Sequence, residues 1–430
     1  MVACPPGVYS DNRDTGTMMI RSTLTWLIAM LIMATAVVHA EPHIILPKHR
    51  IEAHELAIIV NEADPLSRRI GAYYQQRRGI PEANLIRVRF DPHRKQMSPA
   101  EFAAIKQAVD AATPAQVQAY ALTWVTPWRV GCMSITSAFT FGFDKAWCSS
   151  QRCAATRVSP YFDSGSAAPF DDLGIRPTIV LAATDFAAAR ALIDRGISAD
   201  GSRPDGTAYL LSTSDRARNV RHGIYAEIVR RFSPLLRIEV LEADTLRGRD
   251  DVLFYFTGLT QVENLDTLHF IPGAIADHLT SAGGVLIGGR QMSALRWLEA
   301  GATGSYGTVV EPCNLPGKFP NPGLVMQHYL RGATLIEAYW KSVQMPGEGL
   351  FIGEPLAAPF DFLEITRRDG ALIVETWSLA PGLYRLEAAP TVVGPYRPVA
   401  RVPIGFPVPP LRLPDSGSGV LRLVPTRPAD

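Results

Sequence analysis

Between Leu56 and Val343 short apolar runs alternate with helical stretches, and this alternation constrains the fold more than any other feature of the chain. Leu56 to Val60 is an apolar run of strand length. Asp64-Pro65 then supplies an N-cap and a first-turn proline, Leu66, Ile70 and Tyr73 share one helical face, and Gly79 ends the helix. Ile86, Val88 and Phe90 alternate with Arg87 and Arg89, the pattern of a strand with one wet face near a sheet edge. Ser98-Pro99-Ala100-Glu101 is a capping box ahead of Phe102, Ile105 and Val109, and a strand is expected at 119–125. Further strands are expected at 178–182, 209–212, 238–241, 251–256, 285–287 and 305–310. The helices expected between them are 186–195, 219–232, 272–279, 291–299, 323–330 and 335–343, with Gly196 stopping the first and Gly283-Gly284 the third. Strands joined by helices in this order imply an α/β fold, a doubly wound, mostly parallel sheet with right-handed crossovers.

Two stretches break the pattern. Residues 130–177 hold aromatics, glycines and Cys132, Cys148 and Cys153 without a clear period, and are expected to be a long ordered insertion on the surface of a domain spanning 41–360. Residues 362–430 show no helical period, whereas Phe362 to Ile365 and Tyr384 to Glu387 alternate as strands do. This reads as a small all-β sandwich module of the fibronectin or immunoglobulin type.

At the other end, Ile20-Arg21 precedes an apolar stretch from Leu24 to Val38 and then His39-Ala40. The stretch is shorter than the roughly 20 apolar residues that span a bilayer, so 1–40 reads as a leader and signal peptide cleaved after Ala40. The expected product is exported, periplasmic or extracellular, with no membrane span. Charge excludes a further class of partner: 42 Lys and Arg against 41 Asp and Glu, with no long run of either sign, offer nucleic acid no dense positive field.

Cleavage removes Cys4 and leaves four cysteines, an even number that favours two disulfides in an oxidising compartment. Three connectivities exist. A local staple would order the irregular stretch, so the preferred pairing is Cys148 with Cys153, leaving Cys132 with Cys313. Neither pair has close CxxC spacing and no histidine lies near in sequence, so no metal site is expected. Gly283-Gly284 and Gly288-Gly289 fit no phosphate-loop spacing, and no cofactor is expected.

Six segments resemble an uncharacterised exported bacterial family: Asn61 to Pro81, Leu211 to Asn219, Gln291 to Thr308, Glu311 to Asn314, Thr334 to Val343 and Phe351 to Leu356. The likeness covers most of 55–360 and implies kinship without chemistry. A more distant likeness is to gingipain-type cysteine peptidases of the caspase-like fold. In those, a helix and strand like 291–310 follow the nucleophile, a turn like Gly353-Glu354-Pro355-Leu356 closes the domain, and an immunoglobulin-like module comes next. The resemblance implies the scaffold and not the reaction. Where the family's histidine turn would stand the chain reads Phe256-Thr257-Gly258-Leu259-Thr260, and where the cysteine would stand, after the next expected strand, it reads Val285 to Arg290 with no thiol. A leucine cannot draw a proton from a thiol.

In open parallel sheets ligands bind beyond the carboxyl ends of the strands, so the residues after each strand are the candidates whatever the function. They include Asp64 after the first, Arg129 after the third, Asp215 after the strand at 209–212, Arg290 and Gln291 after that at 285–287, and Glu311 after the last. Arg129 and Arg290 are candidate anion clamps. The expected function is a non-catalytic binding or assembly factor of the cell envelope that recognises a peptide, a glycan or an envelope protein. The alternative is a hydrolase with a rebuilt site, either Cys313 with His278 or an acid–base pair from Asp215 and Glu311.

Overall fold

The structure is a computed structural model and describes residues 43–149, 153–415 and 419–426; the leader and signal segment expected over 1–40 lies outside them. The first described strand is β1 (His43–Ile45). β2 (Leu56–Asn61) is buried throughout and leads into α1 (Pro65–Arg78), where Asp64 accepts the Leu66 N–H and Gly79 closes the helix with φ 63°. β3 (Leu85–Val88) is followed by α2 (Pro99–Ala112), capped by Ser98 on the Glu101 N–H, and β4 (Ala119–Leu122). The chain continues through α3 (Ile135–Phe141), β5 (Thr178–Val180), α4 (Phe186–Ala199), β6 (Thr207–Ser212), α5 (Tyr225–Phe232) and β7 (Arg237–Glu242). Then come β8 (Arg249–Thr257), β9 (Leu268–His278), α6 (Leu295–Ala300), β10 (Gly304–Thr308), α7 (Pro322–Leu330), α8 (Leu335–Ser342) and β11 (Gly349–Gly353).

Ten of these strands form one sheet in the order β7-β6-β8-β9-β10-β11-β5-β4-β2-β3. β7, β6, β8, β9 and β10 pair parallel, as do β5, β4, β2 and β3. β11 runs antiparallel to β10 from Gly304–Gly353 to Thr308–Gly349 and meets β5 at Ile352 and Val180. Ala208, Leu210, Phe254, Phe256 and Ile275 enter the larger core, and the alternate residues Tyr209, Leu211, Tyr255, Ala274 and Ala276 enter a second core with Trp297. Both faces are therefore covered, as a mostly parallel sheet requires.

Several expectations are corrected. Residues 272–279 are not a helix: 272–278 belong to β9, in which Ala274 to His278 are all buried, and 285–287 is not a strand. A strand buried on both faces has no polar alternation to distinguish it from a buried helix. Gly196 does not stop α4, which runs on to Ala199; it is a place of close approach, where a Cβ would stand 2.5 Å from Glu354 Cγ. The stretch expected on the surface at 130–177 is interior in part, while 144–146, 157–158 and 171–172 are exposed. Val130, Met133, Ile135, Ala138, Phe139 and Tyr161 are buried, and Thr140 of α3 bonds to Thr178 of β5 through their hydroxyls at 3.2 Å. A short helix buried on nearly every side leaves no amphipathic stripe in the sequence.

Both disulfides join partners other than those preferred from sequence: Cys132 with Cys148, and Cys153 with Cys313. The cause lies beside α3. Trp147 stacks on Phe141 with ring centroids 3.8 Å apart, which returns Cys148 to the short hairpin of Arg129–Val130 and Met133–Ser134 that carries Cys132. Cys153 then reaches across to the segment after β10.

At the amino end of β10 the sheet carries a buried charge cluster. Glu354, fully buried, accepts from Tyr74 Oη at 2.5 Å and from Arg78 Nε at 3.0 Å and Nη2 at 2.5 Å. Burial and the Glu354 charge push the Tyr74 phenol well above its ordinary value.

Beyond Phe360 come β12 (Glu364–Arg368), β13 (Ala371–Glu375), β14 (Gly382–Ala389), β15 (Arg397–Ile404), β16 (Leu411–Pro414) and β17 (Val420–Pro425). They form two small sheets, β12-β13-β16 and β1-β17-β14-β15, around a core of Leu372, Val374, Leu386, Leu413 and Leu423. β1 lies parallel to β17, with His43 opposite Val420, so the second sheet takes one strand from the other end of the chain. Phe360 stacks on Trp377 at 5.7 Å, and Phe232 meets Phe406 edge-on at 6.1 Å, which fixes the β region against the α/β region.

Candidate functional site

β6, β8, β9 and β10 run parallel, so Ser212, Thr257, His278 and Thr308 end on one rim. The Thr308 hydroxyl donates to Thr280 O at 3.1 Å and Ser281 O at 3.0 Å, which ties the segment after β9 to the end of β10. The loop 281–290 then extends along the rim towards the other half of the sheet. Gly288 takes φ 70°, and a Cβ there would stand 3.1 Å from Lys95 Nζ, itself 5.8 Å above the Trp128 ring.

Two recesses flank this loop. The larger, about 670 Å³, is lined by Gln261, Asn264, Asp266, Arg290, Gln291 and Arg296 over an apolar floor of Val262, Leu265, Leu286 and Met292. The smaller, about 300 Å³, is lined by Arg218, Thr280, Ser281, Glu311, Asn314 and the Cys153–Cys313 disulfide. Gln291 separates them, since its Oε1 accepts from Thr280 Oγ1 at 2.9 Å and from the Ala282 N–H at 2.7 Å. The line continues from Arg218, which donates to Thr280 Oγ1 at 3.3 Å and to Asp215 Oδ2 at 2.7 Å.

Four of the six rim candidates therefore come together. Arg290 and Gln291 share the larger recess, Glu311 lines the smaller one, and Asp215 holds the Arg218 that lines it. The other two serve different ends. Asp64 caps α1, and Arg129 Nε donates to Gln96 at 3.0 Å. Arg290 is exposed, and its guanidinium has no hydrogen bond or ion pair with the described residues, while Arg296 is paired with Glu299 at 2.6 Å.

The rebuilt dyad is not brought together. Cys313 is held in a disulfide, and its N–H donates to Glu311 at 2.9 Å. His278 is buried at the end of β9 rather than at a helix terminus. Trp297 Nε1 donates to its Nδ1 at 2.9 Å, which leaves the ring proton on Nε2, 3.1 Å from Met292 O. Both nitrogens are occupied, and burial, with Arg221 and Arg218 adding, holds the imidazole down at about 3. A neutral ring whose one acceptor is taken cannot serve as a base.

Behind the rim, Arg221 and Asp277 form a buried pair at 2.5 Å, with Arg221 Nη2 donating to Thr257 O at 2.6 Å. Burial raises the Asp277 carboxyl although Arg221 pulls the other way. Asp277 Oδ2, Arg221 Nε and Thr257 Oγ1 have no hydrogen-bond partner among the described residues.

Reading 272–279 as a helix hid the strand end that delivers Thr280 and Ser281 to the rim. Reading it as a strand would have placed both residues there and put the expected cysteine position at Leu279 to Ser281, where a hydroxyl stands and no thiol. Arg218 carried no signal, because it lies three residues past Asp215 in an irregular segment. Comparison of the chain with family models, with curated proteins and with solved structures gives no match.

Proposed function

We propose that the chain is an exported, non-catalytic binding or assembly factor of the cell envelope, built on a scaffold related to the gingipain-type peptidases, whose rim takes a peptide. The observation that carries this reading is the larger recess. It offers side-chain amides, a carboxylate, the Ser293 hydroxyl and the unpaired Arg290 guanidinium around an apolar floor, and among the described residues Ser293 Oγ is hydrogen-bonded to the Leu295 N–H and to no carboxylate or imidazole. Amides suit the peptide main chain, and a free guanidinium suits a carboxylate on the ligand. No aromatic side chain lines the recess, and sugar rings are commonly held on aromatic faces, so peptide is favoured over glycan. Two disulfides, with no helix among the described residues long and apolar enough to cross a membrane, accord with export.

The test is an array of short peptides graded from acidic to basic, probed with the full chain and with Arg290→Glu, beside a glycan array. The expected result is wild-type binding to acidic members that Arg290→Glu reverses. Binding confined to glycans overturns the peptide reading. Turnover of a general protein substrate, abolished by Glu311→Gln or Asp215→Asn, overturns the non-catalytic reading in favour of the hydrolase.

A further inference from the structure

A third cavity lies in the seam between the α/β region and the β region, and its lining is rich in basic side chains. Its volume is about 320 Å³. Lys48 and His49 come from the segment after β1, His328 and Arg331 from α7 and its end, Lys341 from α8, and Tyr384 from β14 closes the β side. No Asp or Glu is among the described residues that line it. The carboxylates that answer these side chains do not line the cavity. Lys48 is paired with Glu55, His49 with Asp361 at 2.7 Å, and His328, whose imidazole burial holds below its ordinary value, is bonded to Asp163 at 3.1 Å.

Lys341 and Arg331 differ from the others in how little answers them. Lys341 is 3% exposed, and its carboxylate partner Glu337 stands at 3.6 Å, outside hydrogen-bond range. Glu337 is shared: its Oε2 accepts from the Ile51 and Thr334 N–H groups at 3.0 and 3.1 Å and from the Thr334 hydroxyl at 2.7 Å, and its Oε1, the oxygen facing Lys341, accepts from the Tyr161 hydroxyl at 3.4 Å, with Lys341 Nζ 5.1 Å above the Tyr161 ring. Arg331 makes no ion pair with the described residues. Its guanidinium lies 4.7 Å above the Phe406 ring, and its buried Nε has no hydrogen-bond partner among the described residues. Burial holds the Lys341 ammonium below its ordinary range and pulls Arg331 the same way, because neither charge is fully compensated.

We propose that this seam cavity binds a small ligand through an oxyanion group, a phosphate or a carboxylate, held by Lys341, Arg331 and His328. Burying a cation without a matched partner is costly, and an anion in the cavity offsets that cost at both residues at once. A cavity of this size encloses a small solute and not a polymer. The ligand would touch α7, α8, the segment after β1 and β14 together, so binding would stabilise the seam. This inference is independent of the rim and of the peptide reading.

The experiment is calorimetric titration of the full chain with inorganic phosphate and, separately, with succinate, against sodium chloride at matched ionic strength. Saturable one-site binding of either probe, weakened about tenfold or more in Arg331→Gln and in Lys341→Met and unchanged in Arg290→Ala, is the expected result. Phosphate or succinate as the tighter probe names the ligand's head group. Three results overturn the proposal: no saturable binding of either probe up to ~10 mM, where even a millimolar site is largely filled; binding unaffected by Arg331→Gln; or binding lost in Arg290→Ala. Should Lys341→Met fail to fold, Arg331→Gln and His328→Gln carry the test.

Discussion

Glu354 and Asp277 are both buried carboxylates paired with an arginine, at opposite ends of the large sheet, and they are answered differently. Glu354 accepts a phenol and two nitrogens of Arg78, so both oxygens are used. Asp277 is bonded through one oxygen, while its other oxygen, Arg221 Nε and Thr257 Oγ1 have no hydrogen-bond partner among the described residues. A fork-to-carboxylate pair with a third donor stabilises the place where α1, α4 and the end of β11 meet. A buried polar atom left without a partner costs about 1–3 kcal/mol. The amino end is therefore organised for stability. The carboxyl end keeps hydrogen-bonding capacity behind two open recesses.

The largest expected effect breaks the amino end. Glu354→Ala leaves Arg78 buried without its main partner and should lower the unfolding free energy by about 3–5 kcal/mol in urea titration. A loss below ~1 kcal/mol would remove the contrast between the two ends.

The next effect belongs to the carboxyl end and is read with pH. His278 titrates at about 3 when folded and near 6.5 when unfolded, so protons favour the unfolded chain. Its contribution is fully present above pH 6.5 and is lost as pH falls towards 3, at about 1.4 kcal/mol per pH unit. His278→Gln should flatten that slope in stability measured from pH 7 to pH 4, and an unchanged slope would place the acid sensitivity elsewhere.

The smallest effect sharpens the comparison. Arg290 is exposed and unpaired, so Arg290→Ala should leave the urea midpoint within about 0.5 kcal/mol of wild type. A residue whose removal costs binding and not stability is what the carboxyl end should contain. A large loss of stability would make Arg290 structural.

The first half of the sheet could be read almost directly. Asp64-Pro65, Gly79 and Ser98 mark helix ends by their own chemistry, and the alternation of Ile86, Val88 and Phe90 with arginines marks β3 as an edge strand, where it lies. β9 could not be read this way. Ala274-Ile275-Ala276-Asp277-His278 is composed of good and moderate helix formers, and tertiary burial overrides that preference. The same error displaced the site, because the rim residues Thr280 and Ser281 are found only once the strand before them is found. β11 was hidden as well, since Gly349 to Gly353 is held as a strand by β10 on one side, a partner distant in sequence. The pairing of the cysteines depended on the Trp147–Phe141 stack, which no spacing rule contains. The seam cavity depends on segments distant in sequence meeting, and no one of them signals it.

The placement of β1 beside β17 has a consequence for how the molecule is made. A ribosome delivers His43–Ile45 long before Val420–Pro425, and the two must end side by side. Until then the first strand is an unpaired edge, and a chain broken off anywhere before Val420 keeps it so. Contacts between such distant segments are slow to form because the intervening chain must first be brought to order. Closing this sheet accordingly waits until Val420–Pro425 has been made, and the finished sheet records that everything between its two outlying strands has been delivered.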